Sequence, residues 1–392
     1  MQKILNISAV VIIILIIISI FSIKHFSAKK ANIYGPSMMA SSSHLLAIDT
    51  GKTLYIFDKE GNTVARKTYQ ELNIPPEVSK MQLLDNTLYL AMSDDGSLYS
   101  CDLISWKCEI LPGFSNVARG SFGFAITEEY IYITDTSRHT FKTFDKNGTL
   151  IADSRGTPVP LCYPNQLSLI DGELYVADTN NHRLALIDIT NPAKVEINTT
   201  VAVTGNNKVW EVIMSARNLP NWCAPISDKI FGENGDAYFE RALDFNEKMR
   251  PSAPDLARKG SVWPTAFAYD ANKNWWILIG GNNLRNSDVL IYQDGKAIKR
   301  INENMEKFDP VDIKLFQQDM LVSDFASMQV LKFSESGNWM GEFGELDFQH
   351  DMRDLKKLKD KYSLYATVSQ EMIYFLVFIV IIIAVLDKIN RK

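Results

Sequence analysis

The chain has 392 residues, 41 basic and 46 acidic side chains, a net charge of −5 and four cysteines. Its acidic balance and pI near 5.7 lack the basic stripe of a nucleic-acid binder, so nucleic acid is excluded as a partner. A charged fraction of 22% beside 11% aromatics excludes a mostly disordered chain, and four cysteines are too few to staple a small disulfide scaffold.

The first element is apolar. Between Lys3 and Lys24 lie 20 uncharged residues, enough for a helix of about 30 Å, the thickness of a bilayer core. A cleaved signal peptide has a shorter apolar run and a small-residue cleavage site. Here Lys24, His25 and Phe26 follow directly. Residues 1–30 therefore read as an uncleaved transmembrane anchor.

A repeat fills the next three hundred residues. The stretches at 45–58, 130–145, 173–188 and 319–333 share one pattern: an alternating apolar strand ending in Asp, a polar turn, then a second alternating strand. Period-2 alternation marks half-buried strands, and clusters of Asp, Asn and Ser mark turns. Fainter copies lie at 87–102 and 275–292, where Gly replaces the Asp in the second. A leading apolar segment precedes each copy, at Pro36, Val78, Ser121, Pro164, Pro264 and Pro310, spaced by 42, 43, 43, 100 and 46 residues. Most copies also have a trailing apolar run, opened by a Gly turn. Four short strands in about 43 residues make the blade of a β-propeller. The predicted fold is all-β, with a propeller over 31–346.

Two cysteines sit in the second copy. Cys101 and Cys108 flank the six residues DLISWK between two strand-like runs. That hairpin spacing would set them opposite each other at disulfide distance, leaving Cys162 and Cys223 as a second pair. Four buried thiols fit the spacing equally well. The spacing of 100 residues between the fourth and fifth leading segments leaves roughly 55 beyond one repeat. They form an insert at about 200–260, with helical composition over Asp236–Met249 ended by Pro251 and Pro254. After the last copy, 347–364 is charged with apolar residues at three- and four-residue steps. Residues 365–392 form a second span and a short basic tail. Tyr362, Tyr365 and Tyr374 fall where an interfacial aromatic belt would lie.

One repeat resembles a known family. YPNQLSLIDGELYVADTNNHRLALID at 163–188 is similar to the NHL repeat: a leading proline, Asp at the strand end, then Asn181, His182 and Arg183 matching the name-giving triplet. The other copies depart from that pattern; Ser137-Arg138-His139 keeps only the histidine. The resemblance implies a six-bladed propeller, flanked here by N- and C-terminal transmembrane helices. A seventh blade would have to hide in the 100-residue interval.

Catalysis needs a set of converging groups. Some NHL-type propellers, such as the peptide-amidating lyases, hold zinc on channel histidines. By that resemblance a zinc site would draw on His139 and His182, four residues after Asp135 and Asp178. Catalytic zinc takes three protein ligands, and only two histidines align. A calcium reading would use the strand-end carboxylates Asp49, Asp94, Asp135, Asp178 and Asp324, but Asp there also caps the following turn. No nucleophile elbow and no Walker-type loop is present. The chain therefore reads as a non-enzymatic binding or scaffold module with no required cofactor. Its partner would be a protein or a glycan at the membrane, beside the lipid bilayer itself. The contact candidates are Trp210, Arg217, Trp222, Trp263 and Arg285, around the insert and blade five. A metal-dependent lyase or hydrolase is the alternative, with His139, His182 and Asp178 as its residues. A cytoplasm-facing scaffold is the other.

Two spans put both termini on one side and the propeller on the other. Lys and Arg near the span ends are more numerous on the propeller side, which favours a cytoplasmic propeller, yet the rule weakens for loops of this length. Paired cysteines would favour an oxidising compartment. The expected arrangement is an extracytoplasmic propeller with cytoplasmic termini.

Overall fold

The computed structural model describes residues 2–118, 120–154, 161–202, 256, 263–280, 287–301 and 308–390. It divides into two compact units. One is Pro36–Gln349; the other joins Met1–Gly35 with His350–Lys392.

The larger unit is a six-bladed β-propeller. Among the described residues, 24 strands form six four-stranded antiparallel sheets, each made of four consecutive strands. Blade one is β1 (Met39–Ser41), β2 (Leu45–Asp49), β3 (Thr53–Asp58) and β4 (Thr63–Thr68). Blade two is β5 (Val78–Leu84), β6 (Thr87–Met92), β7 (Leu98–Asp102) and β8 (Cys108–Ile110). Blade three is β9 (Phe122–Ile126), β10 (Tyr130–Asp135), β11 (Thr140–Asp145) and β12 (Leu150–Asp153). Blade four is β13 (Pro164–Ile170), β14 (Glu173–Asp178), β15 (Arg183–Asp188) and β16 (Glu196–Ala202). Blade five is β17 (Trp263–Tyr269), β18 (Trp275–Gly280), β19 (Asp288–Gln293) and β20 (Lys296–Arg300). Blade six is β21 (Pro310–Phe316), β22 (Asp319–Asp324), β23 (Gln329–Phe333) and β24 (Trp339–Glu342). Six sheets account for the repeats, and no seventh is found among the described residues.

Alternation sets which side chains meet across each joint, because successive strand residues point to opposite faces. Blades one and two close over Leu54, Ile56, Leu88 and Leu90. Blades three and four close over Tyr132, Phe141, Leu174 and Val176. The third strand breaks register with the fourth in five blades, at Ile56/Phe57, Thr143/Phe144, Leu186/Ile187, Ile291/Tyr292 and Lys332/Phe333. A bulge there adds local twist and carries the outer strand around the blade edge.

Each innermost strand neighbours that of the next blade, and β21 neighbours β1, which closes the ring. Polar side chains span the joints. Gln82 exchanges hydrogen bonds with the backbone of Ile126, as Gln166 does with that of Phe267. At the closing joint Asp312 Oδ2 accepts from Met39 N at 2.9 Å, and Ser41 Oγ donates to Leu315 O at 2.9 Å. Rings of Phe57, Phe316, Phe343 and Phe348 pack edge to face outside them, with centroids 5.0–6.1 Å apart.

A short helix, α2 (Tyr69–Leu72), follows blade one, and Thr68 and Glu71 form its capping box. The chain between Ala202 and Trp263 links the outer strand of blade four to the inner strand of blade five. Apart from Leu256, which packs with the blade four–five core, the insert lies outside the described residues, its expected helix included.

The second unit contains α1 (Gln2–Ala31) and α3 (Leu346–Asn390), α3 starting four residues earlier in the first unit. Both are long and apolar enough to cross a membrane by length and composition, with mean hydropathies of 2.3 and 2.4 over their apolar windows. The charged segment 347–364 and the second span, separate in the sequence reading, are one helix of 45 residues. The two helices meet where Phe26 stacks on Tyr362 and packs tilted against Tyr365, at 6.2 and 5.0 Å between centroids. Lys30 Nζ donates to Ser363 Oγ at 3.1 Å beside them.

Candidate functional site

The turns after the second strands gather most of the residues singled out by sequence. Asp49, Asp135, Asp178 and Asp324 end β2, β10, β14 and β22, and all four are buried. Their oxygens are taken up locally. Asp178 Oδ1 accepts from Cys162 N at 2.7 Å; Oδ2 accepts from Asn181 Nδ2 and Arg183 Nε, each at 2.8 Å. Asp324 accepts from the backbone of Asp309 and Ser327 and from the Ser327 hydroxyl. Asp135 holds Arg138 through both its N–H and its guanidinium. Asp49 accepts from Ser37, Tyr69 and the Gly51 N–H. These carboxylates tie turn to strand. Burial pushes the Asp49 and Asp178 carboxyls above the usual range, against the pull of those hydrogen bonds.

Asp94 departs from the expected set. In blade two Met92, not Asp94, pairs with the leading residue Val78, as Asp178 pairs with Pro164 and Asp324 with Pro310. Asp94 lies beyond the strand end and is exposed.

The histidines are joint residues. His139 and His182 close their turns in the left-handed region, at φ 57° and 54°. Each faces the aromatic residue just before the next blade's proline: His139 lies 6.2 Å from Tyr163, and His182 lies 6.1 Å from Trp263, between ring centroids. The Tyr163 N–H donates to His139 Nδ1 at 2.8 Å. Burial holds the His139 pKa down to about 4, so its imidazole is neutral at pH 7. Met328 occupies the same place in blade six, four residues after Asp324, with φ 58° and full burial. An imidazole is therefore replaceable there by an apolar side chain of similar length. His139, His182 and Asp178 do not converge as zinc ligands would, since the two histidines lie in different joints. Among the described residues no three His, Cys, Asp or Glu side chains gather in metal-holding range.

Of the five contact candidates, Trp263 alone is described. It is buried under His182, so it packs a blade joint instead of offering a surface contact. Trp210, Arg217, Trp222 and Arg285 lie outside the described residues. The sequence reading passed over Trp339 and Met340, on the outermost strand of blade six, which are 58% and 51% exposed. β24 is the outermost strand of its blade, and these adjacent residues point to its two opposite faces. Near that edge a cleft of about 280 Å³ runs between the β3–β4 turn and blade six, lined by Asn62, Gln317, Lys332, Phe343 and Glu345 among others.

Cys101 and Cys108 face each other across β7 and β8. Their sulfurs are joined, with Cα atoms 4.1 Å apart. Cys162 is also disulfide-bonded. Cys223 lies outside the described residues.

The NHL repeat pattern matches residues 161–185, which span β13, β14, the Asp178 turn and the start of β15. The chain is a six-bladed propeller that carries an NHL repeat. No curated protein sequence matches it. Among solved structures, a streptogramin B lyase shares 11% identity, covering 80% of this chain and 83% of that one, with a TM-score of 0.46. Virginiamycin B lyase from Staphylococcus aureus shares 9%, covering 80% and 86%, at 0.45. A nidogen/laminin complex shares 12%, covering 78% and 94%, at 0.47.

Proposed function

We propose that this protein is a membrane-tethered propeller that binds a protein or glycan partner at the membrane surface and performs no chemistry itself. The observation that carries the reading is the commitment of its chemically capable residues: the buried aspartates, His139 and His182 are all engaged in turns and joints. A propeller flanked in sequence by two apolar helices suits display of a fixed surface. The partner surface includes the outer edge of blade six, where Trp339 and Met340 are exposed; tryptophan is enriched among residues that dominate binding energy. The propeller faces an oxidising compartment, a reading supported by the disulfides at Cys101–Cys108 and Cys162.

A photo-reactive amino acid placed at position 339 in intact cells tests the binding role. A discrete crosslinked partner, lost when Met340 is changed to Asp, is the expected result; no adduct at 339 or along β24 would refute that surface. A membrane-impermeant thiol reagent tests orientation. Cysteines labelled in intact cells only after reduction would fix the propeller outside. Labelling that requires a broken membrane would place it in the cytoplasm.

A further inference from the structure

The six innermost strands β1, β5, β9, β13, β17 and β21 surround the axis of the ring. Together they carry three charged residues: Lys80 on β5, and Asp312 and Lys314 on β21. The axial strands are thus net positive in a chain whose net charge is −5. Asp312 does not cancel the excess. Its Oδ2 is held by Met39 N at 2.9 Å, and its Oδ1 faces Lys314 Nζ at 3.3 Å. This carboxylate serves the joint between blades six and one, as Gln166 serves the joint between blades four and five from the same position, two residues after the leading proline.

Lys80 occupies the matching position in blade two, since it follows Val78 by two residues and pairs with Ala91 as Asp312 pairs with Ser323. Unlike Gln166 and Asp312, it bridges to no backbone group among the described residues. Its one neighbour at hydrogen-bonding distance among the described residues is the Met38 thioether, 3.8 Å from Nζ, which is a poor partner for an ammonium. Blades two and six are not adjacent, yet both reach the start of β1: Lys80 Nζ lies 3.8 Å from Met38, Asp312 holds the neighbouring Met39 N at 2.9 Å, and Lys314 Nζ lies 3.3 Å from Asp312. The three side chains therefore converge beside β1 on the inner face of the ring. Burial, aided by Lys314, pushes the Lys80 ammonium below the usual lysine range, and Asp312 only partly opposes it.

We propose that the axial channel holds an oxyanion site, in which Lys80 and Lys314 bind a small anion bearing phosphate or carboxylate oxygens. Two ammonium groups on confined walls focus positive potential there, and an oxyanion supplies the charge-assisted hydrogen bonds that Lys80 lacks. Met38 forms an apolar side of the site, and Asp312 holds Lys314 in place.

The test uses the full chain in detergent. Thermal unfolding is followed while inorganic phosphate replaces chloride at constant ionic strength, with acetate as a separate series. Wild type and the exposed-lysine control Lys107→Met are expected to rise in Tm with phosphate, because a ligand that binds the folded state stabilises it. Lys80→Met should lose that response, its affinity falling roughly tenfold or more, and should unfold no earlier than wild type without phosphate, since a poorly paired charge has gone. A response to acetate as well as phosphate would extend the site to carboxylates. NMR of ¹³C-methylated lysines gives a second readout that needs no variant of Lys80 itself: phosphate should raise the titration midpoint of the Lys80 resonance. The proposal is overturned if neither anion shifts wild-type Tm, if Lys80→Met keeps the full phosphate response, or if the Lys80 midpoint does not move.

Discussion

Asp58, Asp102, Asp145 and Asp188 end the third strands of blades one to four at the surface. There hydrogen bonds from Asn62, Ser105, Thr149 and Thr190 hold their carboxyls below the usual range. Their contribution to stability is present above the unfolded pKa and fades only as pH falls through their lowered values. Asp49 and Asp178 are raised by burial, so their contribution declines as pH rises from the unfolded value through the folded one. His139 governs a different window. Its folded pKa of about 4 lies below the ordinary 6.5, so the unfolded chain binds a proton first as pH falls, and the fold loses stability between those values. The full shift corresponds to roughly 3 kcal/mol. His139→Met, which copies the residue found at 328, should flatten this acid-side loss. The measurement is the difference between wild-type and variant unfolding free energy from pH 7 to pH 4, which removes the shared contribution of the aspartates. A difference that stays constant across that range would disprove the assignment.

At the scale of the element, strand identity follows from alternation, whereas the close approach of strands does not. The hairpins β2–β3, β10–β11, β14–β15 and β22–β23 begin and end where their sequence patterns do. Gly123 on β9 shows what the pattern conceals. A Cβ there would lie 2.1 Å from the Asn165 carbonyl oxygen of the next blade and 2.8 Å from Thr134 Oγ1. Gly123→Ala must push blades three and four apart and should cost roughly 2–3 kcal/mol in urea unfolding, in line with overpacking. Gly172→Ala, in open space at φ 83°, should cost about 1 kcal/mol through backbone strain alone. Equal effects would argue against the interblade contact. Asp94 makes the same point from sequence: an Asp near the end of an alternating strand looks like its counterparts, but pairing register places Met92 at the structural position.

Across the whole molecule, the ring must close without exchanging strands, because each blade is built from four consecutive ones. Closure relies on side chains brought together from both ends of the propeller sequence. Asp312 reaches Met39 N, the Thr63 N–H donates to Glu345, and Phe343 packs on Phe57 and Phe316. Phe343 is buried, and Phe343→Ala should destabilise the propeller by about 3–5 kcal/mol. Because that change opens the ring, the denaturant slope should also fall as cooperativity between blades one and six is lost. A lower midpoint with an unchanged slope would mean the ring stays closed without this cluster.

Sequence by itself determined the number of blades, the paired strands within them, the hairpin spacing of Cys101 and Cys108, and the two apolar helices. All of these rest on local periodicity or spacing along one stretch of chain. It also placed Asp178 and His182 in one turn, since the NHL repeat is contiguous. Tertiary structure decided the rest. It buried Trp263 and the histidines in joints, left Trp339 at an edge, and joined the charged segment at 347–364 to the second span. It also brought Lys80 together with Asp312 and Lys314 from more than two hundred residues away. Those outcomes depend on which blade faces which around the axis, and a repeat's own pattern carries no information about its neighbour across the ring.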